Sequence, residues 1–302
     1  AAAPHELRAP FFTASVAPVL LGAALAYSHT GTWSPSLFLW TLAGLVFLHA
    51  GANVVNDYFD HLSGNDAANT EFVRPFTGGS RMIQRGWLTP REVLGLALFC
   101  FAAGSAIGLY LAWQAGYFVI LLGIMGVGGG FLYVAPRVNL VARGVGEVFV
   151  ALNFGVLPVV GAYYVQTRQH SLDVVLLSLP IAVLITAVLF INEFQDYHAD
   201  AQVGKRNWVV RRGRVNSVGT YAAMMTAWAL PILAAVLFRP YSWLLLIGLL
   251  PLIPSLKAIA TARKHFDHPA ELAPANALTV ITHLAVGLLL PSALVLARWY
   301  LR

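Results

Sequence analysis

Residues 51–81 read GANVVNDYFDHLSGNDAANTEFVRPFTGGSR. The segment begins inside an apolar run and leaves it through a cluster of carboxylates and amides. Asn53, Asp57 and Asp60 stand at i, i+4 and i+7, a spacing that puts them on one face of a helix. Residues 192–206, NEFQDYHADAQVGKR, repeat the device, with Asn192, Asp196 and Asp200 at i, i+4 and i+8. Two Asn-xxx-Asp helix ends in one apolar chain point to a shared polyanion held through metal ions.

The rest of the 302 residues explain why such ends are unusual. The chain is 58% hydrophobic and only 11% charged, against about 25% charged in soluble domains. This composition is that of a polytopic membrane protein. A helix needs about 20 mainly apolar residues to cross a bilayer, and nine runs qualify, at roughly 11–29, 36–58, 91–113, 116–136, 141–165, 172–195, 217–238, 241–261 and 275–299. The expected fold is all-α: a single transmembrane domain over 1–302, nine helices around a central cavity. The fourth and fifth runs are the least regular, carrying GVGGG at Gly126–Gly130 and Pro158. Small residues there let helices approach closely. A dinucleotide loop is excluded because no strand–turn–helix context surrounds the glycines.

Charge placement sets the orientation. Of the 19 Lys and Arg, fifteen, including Arg8 and Arg137, fall at the N-terminus or after the even-numbered runs. Only Arg168, Arg239, Arg298 and Arg302 fall on the other side. The positive-inside rule then places the N-terminus in the cytoplasm and, after nine crossings, the C-terminus outside. The net charge of +6 therefore reflects membrane orientation rather than a nucleic-acid surface. AAAPHELRAP lacks the layout of a signal peptide. The single cysteine, Cys100, excludes an intrachain disulfide framework or CxxC metal site.

The two long polar exits, residues 59–90 and 196–216, carry the chemistry. Clustered carboxylates repel and raise one another's pKa unless a cation intervenes. Mg²⁺ takes oxygen ligands, often one or two carboxylates plus phosphate oxygens. Asp57, Asp60, Asp196 and Asp200 are thus expected to hold Mg²⁺ that bridges a diphosphate, with Asn53, Asn56 and Asn192 adding neutral ligands or hydrogen bonds. Lys205, Arg206 and Arg81 are placed to meet phosphate oxygens. His61 and His198 each neighbour an acid, but no HExxH or Cys/His spacing supports zinc. Tyr58, Tyr133, Tyr163, Tyr164 and Tyr197 are candidates to line the cavity, where π faces stabilise a cation, while generic helix packing or interface anchoring explains most such aromatics. A pseudo-repeat follows: helices 1–4 carry the first acid motif and helices 5–8 the second, with helix 9 additional. It would set the two exits face to face across one cavity.

These motifs make the chain similar to the UbiA superfamily of intramembrane prenyltransferases. Within it the chain most resembles the 1,4-dihydroxy-2-naphthoate polyprenyltransferases. The likeness is carried by RAPFFTASVAPVLLGAAL (Arg8–Leu25), NDYFDHLSGND (Asn56–Asp66), GEVFVALNFGVLPVVGAYYVQT (Gly146–Thr167) and DYHADAQVGKRNWVVRRG (Asp196–Gly213). The resemblance implies Mg²⁺-dependent transfer of a polyprenyl group from polyprenyl diphosphate to an aromatic acceptor, here dihydroxynaphthoate with loss of CO₂ to give demethylmenaquinone, in a lipid-bounded helical bundle of the inner (plasma) membrane. It adds Asp66 to the metal-binding acids. Two other functions are kept beside it. One is the same chemistry on another acceptor: hydroxybenzoate, homogentisate, chlorophyllide, haem or a glycerol phosphate lipid. The other is an ion-coupled transporter, against which the acids' position at helix exits rather than mid-helix argues.

Overall fold

A computed structural model describes residues 12–135, 138–239 and 241–300. Arg8, Arg137 and Arg302 of the charge argument lie outside the described residues. Nine main helices occur among the described residues: α1 Thr13–Thr30, α2 Pro35–Ser63, α3 Pro90–Ala115, α4 Phe118–Leu132, α5 Gly146–Thr167, α6 Leu172–Gln195, α7 Arg214–Phe238, α8 Trp243–His265 and α9 Pro269–Tyr300. Seven of them are long and apolar enough to cross a membrane. α4, at 15 residues, is shorter, and α1 has 18.

Local chemistry sets the helix limits. Ser34 caps α2 by accepting the Leu37 N–H, and Pro35 takes the first turn, where its missing N–H costs nothing. Thr89 and Glu92 cap α3 reciprocally. α1 and α2 both stop at glycines in the left-handed region, Gly31 (φ 76°) and Gly64 (φ 78°). α5 is not one regular helix. A π turn over Leu152–Val156 precedes Pro158. Proline has no N–H and crowds the carbonyl four residues back, and a widened turn relieves both problems.

α6 is the buried centre, packed against α1, α5, α7 and α9. Leu177, Ile181, Leu184, Phe190 and Phe194 of α6 are sealed with Leu21, Leu25, Tyr221, Trp228 and Ile232. Close approach depends on small residues. A Cβ on Gly155 would lie 2.3 Å from Ala182 Cα of α6, and one on Gly22 would lie 2.4 Å from the Val159 carbonyl oxygen. A second cluster, Val54, Val55, Val93, Ala97 and Phe101, joins α2 to α3. The bundle's outside is apolar: Leu98, Phe99, Leu109, Leu237, Leu256 and Leu288 are exposed, as lipid contact requires.

The loops divide between two ends. At one end His29 bridges the Tyr163 and Tyr241 hydroxyls, Gln166 accepts the Ser34 N–H, Arg239 pairs with Asp173, and Trp299 donates to the Tyr27 hydroxyl. Exposed Trp33, Trp113, Tyr117, Trp243 and Trp299 ring that end, the pattern of an interfacial aromatic belt. The other end gathers residues 64–89, 133–135, 138–145, 196–213 and 266–268, tied by Trp208 to the Gly144 carbonyl and by Arg214 to Asp267.

Candidate active site

α2 and α6 finish at the same end of the bundle, and the loops after them fold towards each other. Between them lies a cavity of about 260 Å³. Asn53, Asn56, Asp60, Asp66, Asn192, Asp196, Asp200 and Lys205 all line it. The two acidic stretches are bonded across the gap. Asn65 Nδ2 donates to Asp200 Oδ1 at 2.8 Å, and Asn69 Nδ2 to Asp196 Oδ1 at 2.7 Å. Lys205 Nζ stands 3.4 Å from Asp60 Oδ1 and 3.8 Å from Asp200 Oδ1, so one ammonium faces an acid from each stretch. Asn56 donates to Asp60, Gln84 to Asp66, and Asn207 to Asp200. Asn192 is gripped from two sides: its Oδ1 accepts from Asn276 of α9 at 2.7 Å, and its Nδ2 reaches the Phe76 carbonyl.

Three expected site residues sit elsewhere. Asp57 is 2% exposed. Its Oδ2 accepts the Ser80 N–H at 3.1 Å, so it holds the Gly78–Ser80 turn instead of lining the cavity. Gly79 (φ +61°) lies against two acids: a Cβ there would come 2.8 Å from Asp57 Oδ1 and 3.3 Å from Asp66 Oδ1. Only glycine gives both the backbone angle and the room. Arg81 stacks on the Phe72 ring at 4.5 Å and donates to the Asn69 carbonyl, and thereby positions an amide that bonds Asp196. Arg206 is absent from the lining, and its carbonyl accepts from Arg211. The tyrosines also divide. Tyr133 lines the cavity. Tyr163 bonds His29 at the far end, Tyr164 packs on Phe118 and His170, Tyr197 lies under the Arg214 guanidinium, and Tyr58 packs on Phe59. Asn65, Asn69, Asn207 and Asn276 are site residues that motif spacing does not single out. Asn65 and Asn69 were visible only as amides i, i+4 apart in the first loop.

The electrostatics follow from crowding. Burial pushes the Asp66 carboxyl from 3.8 up to about 7, with Asp60 and Asp57 adding to the rise. Burial, with Asp200 next, also raises Asp196. Burial opposes the charge of Lys205, but Asp60 and Asp200 outweigh it and hold the ammonium above its usual range. Among the described residues no three His, Cys, Asp or Glu side chains converge to cage a metal. Mg²⁺ is a hard cation that often takes one or two carboxylates and completes its shell with phosphate oxygens and water. The carboxyl oxygens on both sides of the cavity suit Mg²⁺ in that role.

A pH dependence follows. A folded-state acid with a raised pKa keeps a proton that the unfolded chain has lost, so metal-free stability falls as pH rises from about 4 to about 7. A divalent cation needs the deprotonated acids. The rise in unfolding temperature on adding MgCl₂ is therefore expected to grow between about pH 5 and 7 and then level off. Thermal-shift scans in detergent measure it, and a pH-independent rise would contradict it.

A family model described as the UbiA prenyltransferase family matches residues 15–283. The chain belongs to the UbiA prenyltransferase family. It is accordingly a membrane-embedded prenyltransferase. Its curated relatives include a 1,4-dihydroxy-2-naphthoate octaprenyltransferase of Bacillus subtilis, 28% identical over 73% of this chain and 67% of the relative. A 2-carboxy-1,4-naphthoquinone phytyltransferase of Synechocystis is 26% identical over 94% of this chain and 90% of its own length. A 1,4-dihydroxy-2-naphthoate octaprenyltransferase of Mycobacterium tuberculosis is 31% identical over 70% of each. Among solved structures, a UbiA homologue from Archaeoglobus fulgidus bound to DMAPP and Mg²⁺ superposes with TM-score 0.69 at 15% identity, covering 97% of this chain and 99% of that one. This UbiA chain therefore shares the family fold as well as its sequence pattern.

Proposed function

We propose that the protein transfers a polyprenyl group from its diphosphate to 1,4-dihydroxy-2-naphthoate, with loss of CO₂. One observation carries the reading: Asp60 of the first stretch and Asp196 and Asp200 of the second share a cavity and are joined across it by Lys205, Asn65 and Asn69. The naphthoate prenyltransferases among the relatives favour this acceptor over hydroxybenzoate, homogentisate or a lipid.

Asp60, Asp66, Asp196 and Asp200 would hold Mg²⁺ against the diphosphate, with Asp57 supporting them through the Gly78–Ser80 turn. Bound there, Mg²⁺ supplies charge neutralisation to the departing diphosphate. Lys205 is placed to donate to its oxygens, and Asn53 and Asn56 to orient it. Phe149, Val150, Ile185, Val188 and Leu189 give the cavity an apolar wall. It would exclude water from the allylic cation formed when the C–O bond breaks. The ring carbon bearing the carboxyl then forms the new C–C bond, and the carboxyl leaves as CO₂. Each CH₂ of the prenyl tail buried among helices or lipid contributes about 0.8 kcal/mol.

The domain reading belongs to the same proposal: one transmembrane unit of nine crossings in the inner membrane, acidic loops and N-terminus cytoplasmic, C-terminus outside, built from two four-helix repeats and α9. Purified protein with labelled prenyl diphosphate and a panel of acceptors tests the function. Prenylated, decarboxylated product from dihydroxynaphthoate is expected. Product only from a different acceptor would reassign the substrate.

A further inference from the structure

The cavity wall on α5 and α6 carries polar atoms that a diphosphate does not use. Glu193 lines the cavity, is 4% exposed, and neither of its carboxyl oxygens has a hydrogen-bond donor. Behind it Glu147 accepts the Trp208 N–H on Oε1 at 2.6 Å, has no donor at Oε2, and lies within hydrogen-bonding reach of Glu193. Among the described residues neither acid is ion-paired. A buried carboxyl with no well-formed hydrogen bond is costly to keep, and Glu193 makes none, although the Val209 N–H and Glu147 lie beside it.

Asn153 repeats the pattern on the neighbouring helix. It lies in the π turn of α5 and lines the same cavity. Its Nδ2 donates to the Phe149 carbonyl at 3.0 Å, while its buried Oδ1 has no donor. Such π turns are frequent at functional sites. The amide has room only because residue 129 is glycine: a Cβ there would lie 2.7 Å from Asn153 Nδ2. The GVGGG segment thus admits a polar side chain to the cavity wall.

We propose that Glu193 and Asn153 form the subsite for the hydroxyl groups of the aromatic acceptor. Each O–H of the ring donates to a waiting oxygen, Glu193 Oε or Asn153 Oδ1. The apolar side chains of Phe149, Ile185 and Leu189 flank the ring. The proposal rests on the functional reading above and extends it to the residues that select the acceptor.

Steady-state kinetics of E193Q, N153A and the double variant test it, with 1,4-dihydroxy-2-naphthoate and geranylgeranyl diphosphate each varied in turn. N153A removes its acceptor oxygen and should raise the acceptor KM about tenfold, E193Q keeps an amide acceptor in place of the carboxyl and should raise it less, and the double variant should show the two rises combined. The KM for prenyl diphosphate should stay within about twofold of wild type, as should thermal protection by magnesium pyrophosphate. N153A carries the test alone if E193Q does not fold. Unchanged acceptor KM values, or both KM values moving together, would overturn the subsite while wild-type product leaves the functional reading standing. A wild-type protein that prenylates no hydroxylated aromatic acceptor would overturn both.

Discussion

Replacing Asp196 by Asn is expected to lower prenyl transfer by about 10² to 10³-fold, the usual effect of losing one electrostatic contact to a developing charge, with the fold intact. Asp196 is surrounded by groups that make its charge useful only with a cation present. Its Oδ1 accepts from Asn69, and Asp200, Lys205 and Asp60 all act on it. Asparagine keeps the size and the acceptor oxygen for Asn69. It removes an anion whose neighbours already disfavour it. The metal-free variant should therefore unfold at the same temperature as wild type or slightly higher, while its protection by Mg²⁺ shrinks. Activity within about tenfold of wild type would remove Asp196 from the site. Asp57→Asn should differ in kind, because Asp57 holds the Ser80 N–H: its loss of activity should come with a measurable loss of stability.

Replacing Lys205 by Ala should raise the KM for prenyl diphosphate about ten- to a hundredfold, the cost of one charge-assisted hydrogen bond to phosphate. The ammonium is 3.4 Å from Asp60 and 3.8 Å from Asp200, so it also neutralises two acids that would otherwise face each other unscreened. Lys205→Ala should for that reason bind Mg²⁺ alone more tightly than wild type while binding the diphosphate less well. Lys205→Arg should rescue only in part, since a planar fork does not replace a compact point charge between two walls. Titration calorimetry with Mg²⁺ and with magnesium pyrophosphate separates the two effects. A KM within about twofold of wild type would mean that Lys205 serves only to pair the acids.

The helical plan was legible because it rests on composition and helical spacing. Asn53 and Asp60 emerge on one face of α2, and Asn192 and Asp196 at the end of α6, as the i, i+4 and i+7 pattern requires. Asp57 shares that face and still turns to a loop, because Ser80, 23 residues away, offers a backbone N–H. Spacing on a helix says nothing about what a later loop brings to it. The same limit hid Asn65, Asn69 and Asn276, whose partners lie 135, 127 and 84 residues off in the chain. Arg81 and Arg206 read as phosphate ligands from charge alone. The structure shows one stacked on Phe72 and the other off the cavity. Tyr163 and Tyr164 read equally as cavity candidates or as packing and interface aromatics, because depth along the helix is not written in spacing, and α5 carries them to the opposite end. The irregularity of α5 was visible at Pro158. That its π turn presents Asn153 was not, because periodicity fails where the helix is no longer regular.

The most direct test is a structure determined with Mn²⁺ and a non-ionisable thio-analogue of the prenyl diphosphate. The diphosphate should lie between Asp60 on one side and Asp196 and Asp200 on the other, with Lys205 against it and anomalous metal peaks on both sides. A diphosphate bound outside this cavity, or metal on one acidic stretch alone, would contradict the account.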